Sequence, residues 1–220
     1  MKKILICAVV FSLAVFAATA QANLLDDGSF DLATNDTRTS GSAWSLTSSI
    51  AEPDGAVFST SDWASKDGGG TGVWFKTFGG DPNGITEDSL LTQSVVVAAS
   101  GDYTLLFWGA REANHLSTTT FASLSSSGTG GSDSVDLNTA TFNNTLNFVD
   151  GGGTRFSLSL TGVTAGDTLT VSVDEIGGIS NPGAAESLMV DQFTLSIPEP
   201  TSLALVGFGL LGALALRRKR

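Results

Sequence analysis

The residues able to carry chemistry are few and mostly acidic: 22 Asp and Glu against 11 Lys and Arg, with a single histidine, His115, and a single cysteine, Cys7. The adjacent acids Glu87-Asp88 and Asp174-Glu175 would point to opposite sides of an extended chain, a poor arrangement for the paired carboxylates of glycoside hydrolysis. Carboxylates distant in sequence could still converge. There is no GxSxG elbow, no HExxH motif and no nucleophile beside a histidine motif, so no catalytic residue is assigned. Cys7 lies in the N-terminal apolar run and is expected to leave with it, which excludes disulfides and thiol chemistry from the mature chain. One histidine cannot build a histidine-clustered zinc site, and His115 is expected as an ordinary loop or strand-edge side chain. Four tryptophans, Trp44, Trp63, Trp74 and Trp108, are possible sugar-stacking platforms. Trp74 and Trp108 are the better candidates because each lies opposite an apolar stripe on its strand.

Near the C-terminal end of the domain, alternation places Met189, Asp191, Phe193, Leu195 and Ile197 on one face, so Asp191 is expected among core residues. An unpaired carboxylate there is costly, and either a cation or backbone N–H donors must offset it. Calcium, which takes oxygen ligands in irregular geometry, is a suitable cation.

The elements that must position these groups are strands. Residues 23–197 show short period-two runs divided by Gly, Ser, Asn and Asp, with no convincing amphipathic helix. Phe156, Leu158 and Leu160 alternate with Arg155, Ser157 and Ser159; Leu169, Val171 and Val173 alternate with Thr168, Thr170 and Ser172. Tyr103 to Trp108 is apolar on both faces and is expected to be central, with Val95-Val96-Val97 as its hairpin partner. Further strands are expected near 72–78, 119–124, 144–149 and 188–197. Residues 125–134 read as a flexible loop, 66–72 and 150–153 as turns. Crossover helices for a parallel sheet are absent, so the expected fold is all-β, an antiparallel β-sandwich in residues 23–196.

Six of the bases lie at the two chain ends, leaving residues 23–197 with 5 bases against 21 acids and a net charge of −16. Such a surface repels a phosphate backbone and excludes nucleic acid as a partner. Lys2 and Lys3, an apolar run and Ala20-Gln21-Ala22 form the pattern of a secretory signal over residues 1–22, implying Sec-type export and signal peptidase. At the other end Pro198, Glu199 and Pro200 lead into an apolar stretch, 201–216, closed by Arg217, Arg218, Lys219 and Arg220. Those 16 residues would make a helix of about 24 Å, short for a single transmembrane span. The basic tetrad is expected to stay cytoplasmic, placing the β domain outside the membrane. The prolines hold Glu199 extended, as an accessible handle for processing. Gly207, Gly209 and Gly212 fit GxGxxG, but no strand–turn–helix unit surrounds them, and small residues in a membrane helix serve close packing.

The C-terminal pattern in residues 197–220 resembles the PEP-CTERM sorting domain, also known as the ice-binding protein C-terminal or VPEP domain. That resemblance implies recognition by a membrane-embedded exosortase, removal of the tail, and delivery to the envelope surface or extracellular matrix. Three other stretches resemble carbohydrate-binding (galactose-binding-like) jelly rolls. Asn23 to Asp31 is similar to "NLLxNGSFE", Leu91 to Phe107 to "LxQxV…GxYTLxF", and Val190 to Leu195 to "xDDVxL". Residues 72–80 and 112–115 resemble a subgroup of PEP-CTERM proteins of this fold. The jelly-roll resemblance implies a structural calcium between the first and last strands, held here by Asp31 and Asp191, with Gln192 in place of the second acid. The expected function is structural or adhesive at the cell surface, with affinity for exopolysaccharide. Two rivals are a carbohydrate-active enzyme and an ice- or surface-binding protein. The latter needs regularly spaced threonines, for which Thr118-Thr119-Thr120 is too small a patch.

Overall fold

Alternation along the chain does make strands. In the computed structural model, which describes residues 22–76, 86–143, 145–178 and 187–197, β8 (Thr154–Val163) buries Leu158 and Leu160, and β9 (Thr168–Gly178) buries Leu169, Val171 and Val173. The other strands are β1 (Ser45–Ser48), β2 (Val57–Ser59), β3 (Gly72–Lys76), β4 (Glu87–Val96), β5 (Gly101–Arg111), β6 (Thr119–Ser126), β7 (Ser132–Asp136) and β10 (Ser187–Ser196). They form two five-stranded sheets, β1-β4-β9-β6-β7 and β2-β3-β10-β5-β8, antiparallel at every pairing. The domain is therefore an all-β sandwich, and residues 23–196 form one compact unit. The signal segment, Phe78, the Pro198-Glu199-Pro200 motif, the apolar stretch 201–216 and the basic tetrad lie outside the described residues.

Several local expectations are corrected. Val95-Val96-Val97 is not the hairpin partner of β5. β4 pairs with β1 and β9, while β5 pairs with β10 and β8, so the turn between β4 and β5 carries the chain from one sheet to the other. Residues 145–149 make no strand; Phe148–Gly151 is a single helical turn capped by the Asn147 side chain, which accepts from the Asp150 N–H. Much of the segment 125–134 is not loop but the end of β6 and the start of β7. The segment from Asn23 to Asp31 is turns rather than a strand, although it does run beside β10: Leu24 N–H donates to Leu195 O at 2.9 Å and Phe193 N–H to Gly28 O at 2.8 Å.

The inner layer is aromatic at the end where that segment closes the sandwich. Phe107 stacks on Phe193 at 5.0 Å, and Phe30 and Trp44 lie 5.8 and 5.2 Å from Phe193. Trp44 is buried there with its indole N–H on Asp27 O, so it is a core residue and no platform. Offset and edge-on ring pairs of this kind add about 0.5–1.5 kcal/mol each beyond area burial. The outer face of the first sheet is rich in hydroxyls. One cross-strand row reads Ser45, Thr92, Ser172, Ser123, Ser134, with Ser123 and Ser172 hydroxyls 2.8 Å apart.

Candidate functional site

The site is built on an irregularity in β10. Asp191 pairs with Trp108 of β5, but the next paired residue is Thr194, opposite Leu106, and Gln192 sits at φ +54°. A β-bulge re-aims the side chains around it. Val190 and Leu195, paired with Gly109 and Leu105, face the inner layer together with Phe193, whereas Asp191 and Thr194 lie on the outer face with Trp108 and Leu106. Asp191 therefore does not share a face with Phe193 and Leu195, contrary to strict alternation.

Beyond the bulge β10 is no longer paired with β3, whose contacts end at Val190, and the N-terminal segment takes that edge. Asn23 bridges it twice, its Nδ2 donating to Phe193 O at 2.8 Å and its Oδ1 accepting from Leu195 N at 2.9 Å. Gly28 must be glycine: a Cβ there would stand 2.0 Å from Phe193 O. Gln93 of β4 fixes the same segment by accepting from Asp26 N and donating to Asp26 O, at 2.8 and 2.9 Å. This buried clamp was not anticipated, though Gln93 stands in the "LxQxV" pattern.

Between the segment and the sheet lies an open groove of about 300 Å³ lined by Asn23, Gly28, Ser29, Leu106, Trp108, Arg155, Gln192, Phe193 and Thr194. Trp108 and Leu106 present an apolar floor. Arg155 of β8 is the cross-strand neighbour of Trp108 and is exposed. The Gln192 amide, the Thr194 hydroxyl and the Arg155 guanidinium have no hydrogen-bond partner among the described residues, whereas Asn23 is fully engaged and Ser29 donates to Asp31 at 2.8 Å. An aromatic floor with unspent polar groups around it suits a ligand with one apolar face and a hydroxylated rim.

Trp74 is placed elsewhere. It is half-buried on the outer face across β10, edge-on to Trp63 at 4.2 Å, in a small cluster with Ala64, Ala110, Phe148 and Met189 that Trp108 also touches. The segment through Ala64 roofs that part of the sheet, so Trp74 and Trp63 pack rather than face the groove. Lys66, in the same segment, sets its ammonium 4.8 Å from the Trp108 ring centroid. Since Lys66 does not line the groove, the indole meets it with its other face or edge.

Asp191, 1 % exposed, sits beneath that roof. Its Oδ2 accepts from Lys66 N at 2.8 Å and Ser65 Oγ at 3.3 Å, and its Oδ1 from Gln192 N at 2.6 Å. Burial pushes its pKa from the usual 3.8 to about 7; the Lys66, Gln192 and Ser65 bonds pull the other way and Asp67 adds to the rise. Asp31 is exposed and bonded to Ser29. Two backbone N–H groups and the Ser65 hydroxyl thus offset Asp191, and Asp31 Oδ1 lies near the same Ser65, both beside Gly70. Among the described residues no three His, Cys, Asp or Glu side chains are grouped to hold a metal.

A second polar cluster lies inside the sandwich. Glu87 and Glu175 come from the two adjacent acid pairs, whose other members point outward, so distant carboxylates do converge. His115 lies in the loop between β5 and β6 but is 6 % exposed, and its Nε2 is 3.1 Å from Glu175 Oε2. Glu87 Oε1 accepts from Ser48 Oγ at 2.8 Å, Ala56 N at 2.5 Å and Ser89 Oγ. Burial raises the Glu87 pKa, opposed by the Ser89 and Ser48 bonds, reinforced by Glu175 and opposed by Ala56. Full burial leaves this cluster no access to a substrate.

Residues 196–220 match the model of the PEP-CTERM protein-sorting motif, which marks an exported chain sorted at the cell envelope. Comparison with curated proteins finds no match. Among solved structures, TmCBM61 in complex with β-1,4-galactotriose is 16% identical, with 80% of this chain and 99% of that one covered and a TM-score of 0.51. A cleaved adhesin domain of Lys-gingipain from Porphyromonas gingivalis is 14% identical (79% and 98% covered, TM-score 0.49). The CBM22-1 xylan-binding domain from Paenibacillus barcinonensis is 12% identical (82% and 97% covered, TM-score 0.42). The first of these likenesses shows the fold, a β-sandwich shared with TmCBM61.

Proposed function

We propose that this protein is a non-enzymatic glycan-binding component of the cell surface or extracellular matrix, delivered there through its C-terminal motif. The observation that carries the reading is the groove: a half-buried indole flanked by an amide, a hydroxyl and a guanidinium with no partners among the described residues. A pyranose has the matching chemistry, since its C–H face stacks on an indole and its hydroxyls take up such donors and acceptors. The sugar ligand of TmCBM61, on a related fold, supports the same choice. Among the described residues no carboxylate lines the groove, which favours binding over the acid-pair chemistry of the enzyme alternative. In this scheme Sec-type machinery and signal peptidase export the chain, and an exosortase acts at Pro198-Glu199-Pro200 before the domain reaches exopolysaccharide.

The test is retardation of the detergent-solubilised full chain in gels containing galactan, xylan or exopolysaccharide from the producing cells. Retardation is expected, and Trp108→Ala, or Gln192→Ala with Thr194→Val, should weaken it by roughly tenfold. The polar pair is chosen because its removal leaves the core intact. Unchanged mobility on every glycan refutes the reading, and released reducing ends would move the assignment to the enzyme class. Mass spectrometry of the surface form should show a C-terminus lacking Arg217, Arg218, Lys219 and Arg220.

A further inference from the structure

Resting on the reading of the groove as a glycan site, we propose that it selects an acidic sugar, a uronate whose ring carboxylate is taken by Arg155 while the pyranose lies against Trp108. The distribution of the domain's few cations points there. Residues 23–197 hold five bases against 21 acids. Arg38 is spent on backbone carbonyls, its Nη2 donating to Ile50 O and Asp54 O at 2.6 and 2.8 Å and its Nε to Ala56 O at 2.9 Å. Arg111 donates to Leu137 O at 2.8 Å and to Asn138 O, with its guanidinium 4.9 Å from the Phe142 ring centroid. The Lys76 side chain lies outside the described atoms. The remaining two, Lys66 and Arg155, both come to Trp108, one over its ring and the other beside it across the β5–β8 pair.

Each has a distinct part. Lys66 is occupied by the indole and does not line the groove, so it orients the ring and adds positive potential. Arg155 lines the groove with no donor spent on any described residue, and a guanidinium presents its donors in the planar fork that matches a carboxylate. Among the described residues no acid lines the groove to compete; Asp31 is held by Ser29, and Asp191 is buried under the Lys66 segment. Repulsion from the domain's net negative charge is screened beyond about 8–10 Å at ordinary ionic strength, so the local fork decides binding at contact. Gln192 and Thr194, on the other side of Trp108 and Leu106, remain for neutral hydroxyls.

The experiment is calorimetric titration of the detergent-solubilised full chain with three oligosaccharides: a galacturonan, the same galacturonan methyl-esterified, and a galactan. Esterification removes the charge and keeps the ring. The free acid is expected to bind roughly tenfold or more tightly than either neutral oligomer, the gain of a charge-assisted pair at a partly open site. Arg155→Gln should abolish that preference, so that the free acid binds no more tightly than its methyl ester, with the melting temperature unchanged. Equal binding of all three, or a preference that survives in Arg155→Gln, overturns the uronate assignment and leaves the glycan reading standing. Failure of all three to bind overturns both.

Discussion

Replacing Asp191 by asparagine separates two accounts of how a buried carboxylate is kept in this sandwich. Burial raises its pKa from the usual 3.8 to about 7, so the native state retains a proton that the unfolded chain releases. A group shifted this way contributes stability that is fully present below the unfolded pKa and is lost as pH rises through the folded one. The contribution therefore falls between pH 3.8 and about pH 7 and is constant above. At about 1.36 kcal/mol for each tenfold change in proton affinity, the interval amounts to roughly 4 kcal/mol. In Asp191→Asn the amide oxygen can keep the Lys66 N and Ser65 Oγ bonds, but the amide nitrogen then meets the Gln192 N–H, donor against donor. That mismatch costs about 1–3 kcal/mol at any pH. The variant should thus be less stable than wild type by about 1–3 kcal/mol near pH 4 and more stable by about 1–3 kcal/mol near pH 8.

Urea unfolding followed by tryptophan fluorescence across that range measures both slopes, and the titration of Glu87, common to both proteins, cancels in the difference. A variant destabilised more at pH 8 than at pH 4 refutes the reasoning. If a chelator also brought wild type down to the variant at pH 8, Asp191 would be acting as a cation ligand instead of a carboxyl held by backbone N–H groups.

Glu87→Gln should also stabilise the domain at neutral pH, because burial and the nearby Glu175 disfavour its charged form; the gain should vanish in acid, where Glu87 is neutral in both states. A thermal melt at neutral pH showing a lower midpoint than wild type would contradict this. The protein should leave ice-crystal growth unmodified, although the outer face of the first sheet carries cross-strand rows of hydroxyls. Adjacent strands rotate by roughly 20–25°, so a row across five strands does not stay planar. Faceted crystals or a depressed growth temperature would reverse that conclusion.

What could be read from the sequence tracks how much apolar surface each strand buries. β5, β8, β9 and β10 hold three or more inward apolar residues apiece, and alternation exposes them directly. β1, β2 and β7 lie at sheet edges; β1 offers only Leu46 and β7 only Val135, so each looks like the Ser-rich connections around it. Pairing was less legible than existence. A small-residue turn after β4 suits a hairpin, but the next strand belongs to the facing sheet, and local turn chemistry carries no information about which sheet a strand joins. The hydroxyl rows and the Glu87–Glu175–His115 cluster were hidden for the same reason, since each is assembled from strands far apart in sequence.

The groove rests on one inserted residue. Had β10 continued regularly, Asp191 would have faced Phe107 and Phe30 with no backbone donors, a burial several kcal/mol too costly to persist as an ion. The bulge at Gln192 turns it outward, under the Lys66 segment, where three donors meet it. The same kink takes the lower half of β10 off β3, leaving an edge that the N-terminal segment fills from Asn23 to Gly28. That segment forms one wall of the groove, and the bulge residue Gln192 contributes an unspent amide beside it. Period-two alternation, the rule that finds β10, is the rule the bulge breaks, which is why Trp108 was legible as an outer-face ring on β5 while the geometry of its surroundings was not.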